Sequence, residues 1–165
     1  MASLKNEIIG SWKLLSYIEV PVGGGESLFP LGKSPKGNLI YSPDGYMSVQ
    51  ISASDEMKFS SDDRILASIE ELQMRIQRYI AFSGRYVVDN DMACVIYSIE
   101  NSLYPQWENT RQIRKLDFEG DILYQKSLEP IRSGGKSVHA YMTWKRVEKS
   151  SFEEIKHHTE EIDVG

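Results

Sequence analysis

The chain has 165 residues, 41% apolar and 26% charged, with 12 Gly, 6 Pro and a single Cys. That length suits one domain burying roughly two-thirds of its unfolded surface, and the composition excludes collagen-like and disordered chains. One cysteine, Cys94, excludes an internal disulfide framework, and no apolar run approaches the ~18 residues of a membrane helix. Net charge is −5, of which residues 148–165 (six acids, two lysines) carry −4. No block of five or six Lys/Arg occurs, so an electrostatic footprint for nucleic acid is missing. The first residues lack the apolar core of a signal peptide. With the lone cysteine, this predicts a soluble, cytoplasmic protein.

Strand-like segments dominate in chain order. Residues 11–20 are rich in residues that fit a pleated surface, and an unbroken alternation puts Trp12, Leu14, Ser16 and Ile18 on one face. Gly23, Gly24 and Gly25 break this strand as a loop and lack the Lys-Ser/Thr ending of a phosphate loop. Residues 37–51 form a hairpin: Ser42, Pro43, Asp44 and Gly45 match a type I turn, and Met47, Val49 and Ile51 alternate with polar neighbours. Residues 61–79 switch to helical spacing through Ile65, Leu66, Ile69, Leu72, Ile76 and Tyr79. This predicts one amphipathic helix of about five turns, capped at Ser60 or Ser61 and packed on a larger body.

Strands resume over residues 79–88, where Gly84 signals a bend or a close backbone approach, and over 92–101. Residues 102–109, with Tyr104, Pro105 and Trp107, form a longer connection. Residues 110–118 and 121–126 make a second hairpin around Gly120. A basic, Gly-rich loop spans 130–136, and residues 138–147 form the last strand. Eight or nine strands in hairpin succession, each with one buried face, must pack on another layer or close on themselves. Closure removes exposed edges, and a barrel of about eight strands has room for packed side chains or one small ligand. The expected architecture is a mainly β, antiparallel up-and-down barrel over residues 1–147 with one inserted helix. Residues 148–165 follow as an acidic tail. Phe152, Ile155, Thr159 and Ile162 in the tail fit either a short docking helix or a solvated end.

Several pieces resemble a known family. Gly10-Ser11-Trp12 heads the first strand, and Trp144-Lys145-Arg146 closes the last, as in the lipocalin signature. The hairpin 37–49, Pro30-Leu31-Gly32, residues 79–86, residues 102–107 and Gln112-Ile113-Arg114 extend the likeness to the lipocalin-like domain family of bacteria and fungi. It covers about residues 7–147. The resemblance implies the barrel and an interior, but no particular activity. It also implies that Trp12 plugs the closed end beneath Arg146, with Trp144 sharing the structural role; a ligand role for Trp12 is the alternative. Members often carry His where this chain has Ile96, Tyr97 and Ser98.

The candidate ligand-binding residues are Tyr41, Phe82, Arg85, Tyr86, Tyr97, Glu100, Trp107 and Arg114. Arg114 shares a face with Gln112, Leu116 and Phe118, so its charge must be paired or solvated by a cavity. Glu100 is one candidate partner and a ligand carboxylate the other; Arg85 is similarly open. The aromatic residues suit a small-molecule cavity or a plain core, and residues 102–109 suit the barrel mouth or rim packing. Adjacent His157 and His158 do not match metal-site spacing, and no metal or other cofactor is expected. Cys94, in an apolar strand, reads as a buried structural thiol. The expected partner is a small apolar or amphipathic molecule, with neither nucleic acid nor membrane. The alternatives are an enzyme, running an isomerisation, cyclisation or hydration with Tyr97, Glu100 or His139 as acid or base, and a packed barrel that binds another protein.

Overall fold

Alternating apolar residues and tight turns build a closed barrel. A computed structural model describes residues 3–55 and 57–148; the tail from residue 149, including its predicted apolar stripe, lies outside the described residues. A short helix α1 (Leu4–Ile8) leads into β1 (Gly10–Pro21), β2 (Lys36–Tyr41) and β3 (Tyr46–Ser52). Helix α2 (Ile69–Gln77) precedes β4 (Tyr79–Asp89), β5 (Cys94–Ser102), β6 (Arg111–Glu119) and β7 (Ile122–Ser127). β8 (Ile131–Ser133) and β9 (Lys136–Arg146) complete the chain. Neighbours from β1 to β7 pair antiparallel, β9 pairs with β7, and β9 closes the ring on β1. The result is an eight-stranded barrel with β8 as an extra strand beside β9.

Turn chemistry sets the register. In the β2–β3 hairpin Ser42 donates its backbone N–H to Tyr46 O at 2.8 Å, while Gly45 takes the left-handed φ of +93° that closes the turn. Gly84 serves a close approach: a Cβ there would lie 2.0 Å from Ser98 O. The β4–β5 ladder shifts register between Ser83 and Gly84, so the predicted bend and the predicted approach are one feature, a bulge. The core runs through Leu39, Val49, Ile51, Phe82, Ile99, Leu123 and Trp144.

Three local expectations are corrected. The alternation in β1 does not run unbroken. A bulge between Leu14 and Ser16 exposes Leu15 and turns Tyr17 and Glu19 inward in place of Ser16 and Ile18. The helix predicted over 61–79 is split. Asp63 caps a 3-10 turn at Arg64–Leu66, and Ser68 then restarts the chain with a capping box to Glu71. The split falls where Ala67, which ends the 3-10 turn, and Ser68, which caps α2, are both extended. Ile65, Leu66 and Ile69 face solvent instead of packing on the barrel. Finally, residues 130–136 are not a simple loop. Gly134 and Gly135, both at positive φ, reverse the chain between β8 and β9.

Candidate functional site

The two ends of the barrel are built differently. At the closed end Trp12 is fully buried and donates its indole N–H to Ile8 O at 2.9 Å. The Arg146 guanidinium lies 4.2 Å from the Trp12 ring and donates to the carbonyls of Ile9 and Glu7. One cation thus covers the indole and holds α1 across the barrel end.

At the other end, a mouth of about 210 Å³ opens beside Pro30, Leu31, Ile76, Tyr104 and Arg132. It leads to an inner cavity of about 30 Å³, room for a water or two. Tyr17, Ile80, Trp107 and Ile131 border both spaces and form the neck. The inner walls are apolar, from Leu39, Val49, Ile51, Phe82, Ala140 and Met142. Aromatic rings run inward from the rim: Tyr104 against Trp107 at 5.4 Å, Trp107 against Phe82 at 6.0 Å, and Phe82 against Tyr97 at 5.8 Å. Trp107 reaches the neck because the 3-10 turn Pro105–Trp107 folds the β5–β6 connection over the opening.

A polar cluster occupies the inner end. Trp144 donates its indole N–H to Gln125 Oε1 at 3.1 Å. Gln125 Nε2 donates to Tyr41 Oη at 2.8 Å and to Tyr97 Oη at 3.2 Å. The two tyrosine hydroxyls are also hydrogen-bonded to each other. With Gln125 donating to both, one tyrosine donates to the other and one phenolic hydrogen is left over. Tyr41 lies behind the cavity wall and Tyr97 lines it, so the arrangement that leaves no phenolic hydrogen buried without a partner has Tyr41 donating to Tyr97 and the spare hydrogen on Tyr97. Burial holds both phenols above their ordinary pKa, Tyr41 well above, and so keeps them protonated. Tyr17, raised by burial and by the adjacent Glu19 carboxylate, donates to Glu19 at 2.7 Å.

Arg114 is the one buried basic side chain among the described residues. β6 turns it inward with Leu116. Its guanidinium donates to Gln112 Oε1 and lies 5.9 Å from the Tyr97 ring centre. No carboxylate among the described residues forms an ion pair with it. Desolvation lowers its pKa, yet a guanidinium stays charged in a protein. Among the described residues no buried side-chain nitrogen or oxygen is sealed off without a partner, and Arg114 lines the cavity, so its other guanidinium nitrogens open onto it.

Of the predicted binding residues, Phe82, Tyr97, Trp107 and Arg114 line the cavity. Tyr41 does not line it but is hydrogen-bonded to Tyr97 and Gln125, which do, and Trp144 forms part of its wall as well as the barrel core. Tyr86 is buried against Tyr41 and donates to Ser42 O at 2.6 Å, away from the cavity. Arg85 and Glu100 are corrected. They sit on the outer surface, 3.6 Å from each other, and Glu100 does not reach Arg114. The pleat explains this: Phe82, Gly84 and Tyr86 point inward on β4, and Tyr97 and Ile99 on β5, so Arg85 and Glu100 must point out. His139 places Nδ1 2.9 Å from Ser127 O and does not line the cavity. Sequence reasoning missed Tyr17, Gln125 and Met142. Gln125 was accessible from the alternation of Leu123, Gln125 and Ser127; Tyr17 was hidden by the β1 bulge.

A closed antiparallel barrel, plugged at one end by a tryptophan and an arginine and open at the other to a small apolar cavity, defines the class. Residues 9–147 match the lipocalin-like domain, and the chain belongs to that family. It is similar to the 4'-hydroxy-3'-methoxypropiophenone carrier protein of Aspergillus oryzae, 29% identical over 107 residues that cover 61% of this chain and 96% of the relative. No helix among the described residues is long and apolar enough to cross a membrane.

Proposed function

We propose that this protein is a cytoplasmic carrier of a small, mostly apolar aromatic molecule held in the barrel interior. The observation that carries this reading is the neck, where Tyr17, Ile80, Trp107 and Ile131 join an open mouth to an apolar chamber with a polar inner end. The similarity to a carrier of a hydroxylated aryl ketone supports it. Apolar walls supply affinity and a few placed donors supply orientation. The inner chamber is smaller than an aromatic ring, so the ligand enters by displacing Trp107 at the rim, with its ring taking a place in the aromatic series. A raised pKa suits Tyr97 as a hydrogen-bond donor and ill suits it as a general base. The buried, free Cys94 suits a reducing compartment.

The test is titration calorimetry with 4'-hydroxy-3'-methoxypropiophenone, alongside quenching of tryptophan emission. One-to-one binding is expected. Ile131→Trp, which fills the neck, should abolish it. Absence of binding, or undiminished binding in a folded Ile131→Trp protein, would sink the interior-carrier reading.

A further inference from the structure

We propose that Arg114 and Tyr97 bind the ligand as an anion: an aromatic molecule whose acidic oxygen, a phenol acidified by conjugation with a ring carbonyl, is ionised in the barrel. This rests on the carrier reading and adds the protonation state of the ligand to it. Donors outnumber acceptors at the polar inner end. Arg114 presents N–H groups, Tyr97 presents its spare O–H, and the oxygens of Gln112 and Gln125 are already engaged by Arg114 and Trp144. A site of unmatched donors around a buried cation is complementary to an acceptor with negative charge.

The surrounding groups leave that charge to the ligand. Facing Arg114 are Tyr97 from β5, Tyr17 from β1 and Tyr41 from β2. All three phenols are held protonated. β7 contributes Gln125 to this chamber, and β9 contributes Ala140, Met142 and Trp144, none of which titrates. The remaining carboxylate nearby, Glu19, lies in the mouth, accepts from Tyr17 and forms no ion pair with Arg114. On binding, the ligand's phenolic O–H bond breaks heterolytically. Its electron pair stays on oxygen against Arg114 and Tyr97, and the proton passes to solvent through the mouth. A cation at this range lowers an acid's pKa by about 1–3.

The experiment uses the full chain and two probes, 4'-hydroxy-3'-methoxypropiophenone and its methyl ether, which has no ionisable proton. Absorption of the bound hydroxy probe is followed through a pH titration. The phenolate band should appear at a pH about 1–3 below that for the free probe. At a pH above the free phenol's own transition, where the full pKa difference is expressed, the hydroxy probe should bind about tenfold or more tightly than the ether. Arg114→Met should remove both effects while still binding the ether. Arg114→Lys, which keeps the charge, should retain part of the spectral change, and Tyr97→Phe should diminish it. A neutral spectrum with equal affinity for the two probes would overturn the anion assignment and leave the carrier reading standing. Failure of both probes to bind would overturn both. If Arg114→Met does not fold, loss of the phenolate band in Tyr97→Phe supports the assignment, and an unchanged band in that variant opposes it.

Discussion

Individual side chains divide between closing the barrel and equipping its interior. Trp12 does the first, fully buried under Arg146 and tied by its N–H to Ile8. Removing an indole from a packed site forfeits its burial and leaves a void that the closed sheet cannot collapse into. Trp12→Ala should therefore lower stability by about 3–5 kcal/mol in a denaturant melt. A loss below about 1 kcal/mol, typical of a surface change, would remove Trp12 from the core. Arg114 does the second. Its burial without a carboxylate is poor design for stability alone, since an unpaired buried charge is costly; the anionic ligand proposed above would complete the pairing.

Among the elements, the strands hold their shape through close backbone approaches as much as through side-chain burial. Gly84 in β4 is the sharpest case, because a methyl group there would meet the Ser98 carbonyl at 2.0 Å. That neighbour is backbone held in the β4–β5 ladder and has no rotamer to yield. Gly84→Ala should cost about 1–3 kcal/mol or more, as overpacking does, with the loss read as a lowered midpoint in urea. An unchanged midpoint would mean that the bulge relaxes freely. The helix α2 is different. Its capping box fixes where it starts, but its apolar residues are largely exposed, so local capping rather than burial holds its N-terminus.

For the whole molecule, buried phenols link stability to alkaline pH. Tyr17, Tyr41 and Tyr97 all have folded pKa values above the ordinary value, so the folded state keeps protons that the unfolded chain releases. Their contribution is fully present below about pH 10, the unfolded tyrosine value, and is lost as pH rises beyond it toward the folded values. Denaturation midpoints should hold up to about pH 10 and then fall, and Tyr41→Phe should make that fall shallower. A midpoint flat to well above that pH would show that these phenols ionise alike in both states.

Much of this architecture was legible along the chain because its causes are local. The Ser42–Gly45 turn, the alternation in β3 and the Gly84 signal depend on neighbours a few residues away, and together the segments predicted the barrel and its approximate strand number; the closing roles of Trp12 and Arg146 came from the family resemblance. Arg114, Phe82, Tyr97 and Trp107 were likewise identifiable, since parity and residue type mark them as inward or at the rim. The remaining features depend on strands far apart in sequence. The β1 bulge brings Tyr17 inward, β7 delivers Gln125 to hydroxyls on β2 and β5, and the pleat sends Glu100 outward, leaving Arg114 without a carboxylate. A one-residue slip of register reverses every side chain on a strand. Which charges meet inside a barrel is therefore fixed by the pairing of its strands and cannot be read from any one of them.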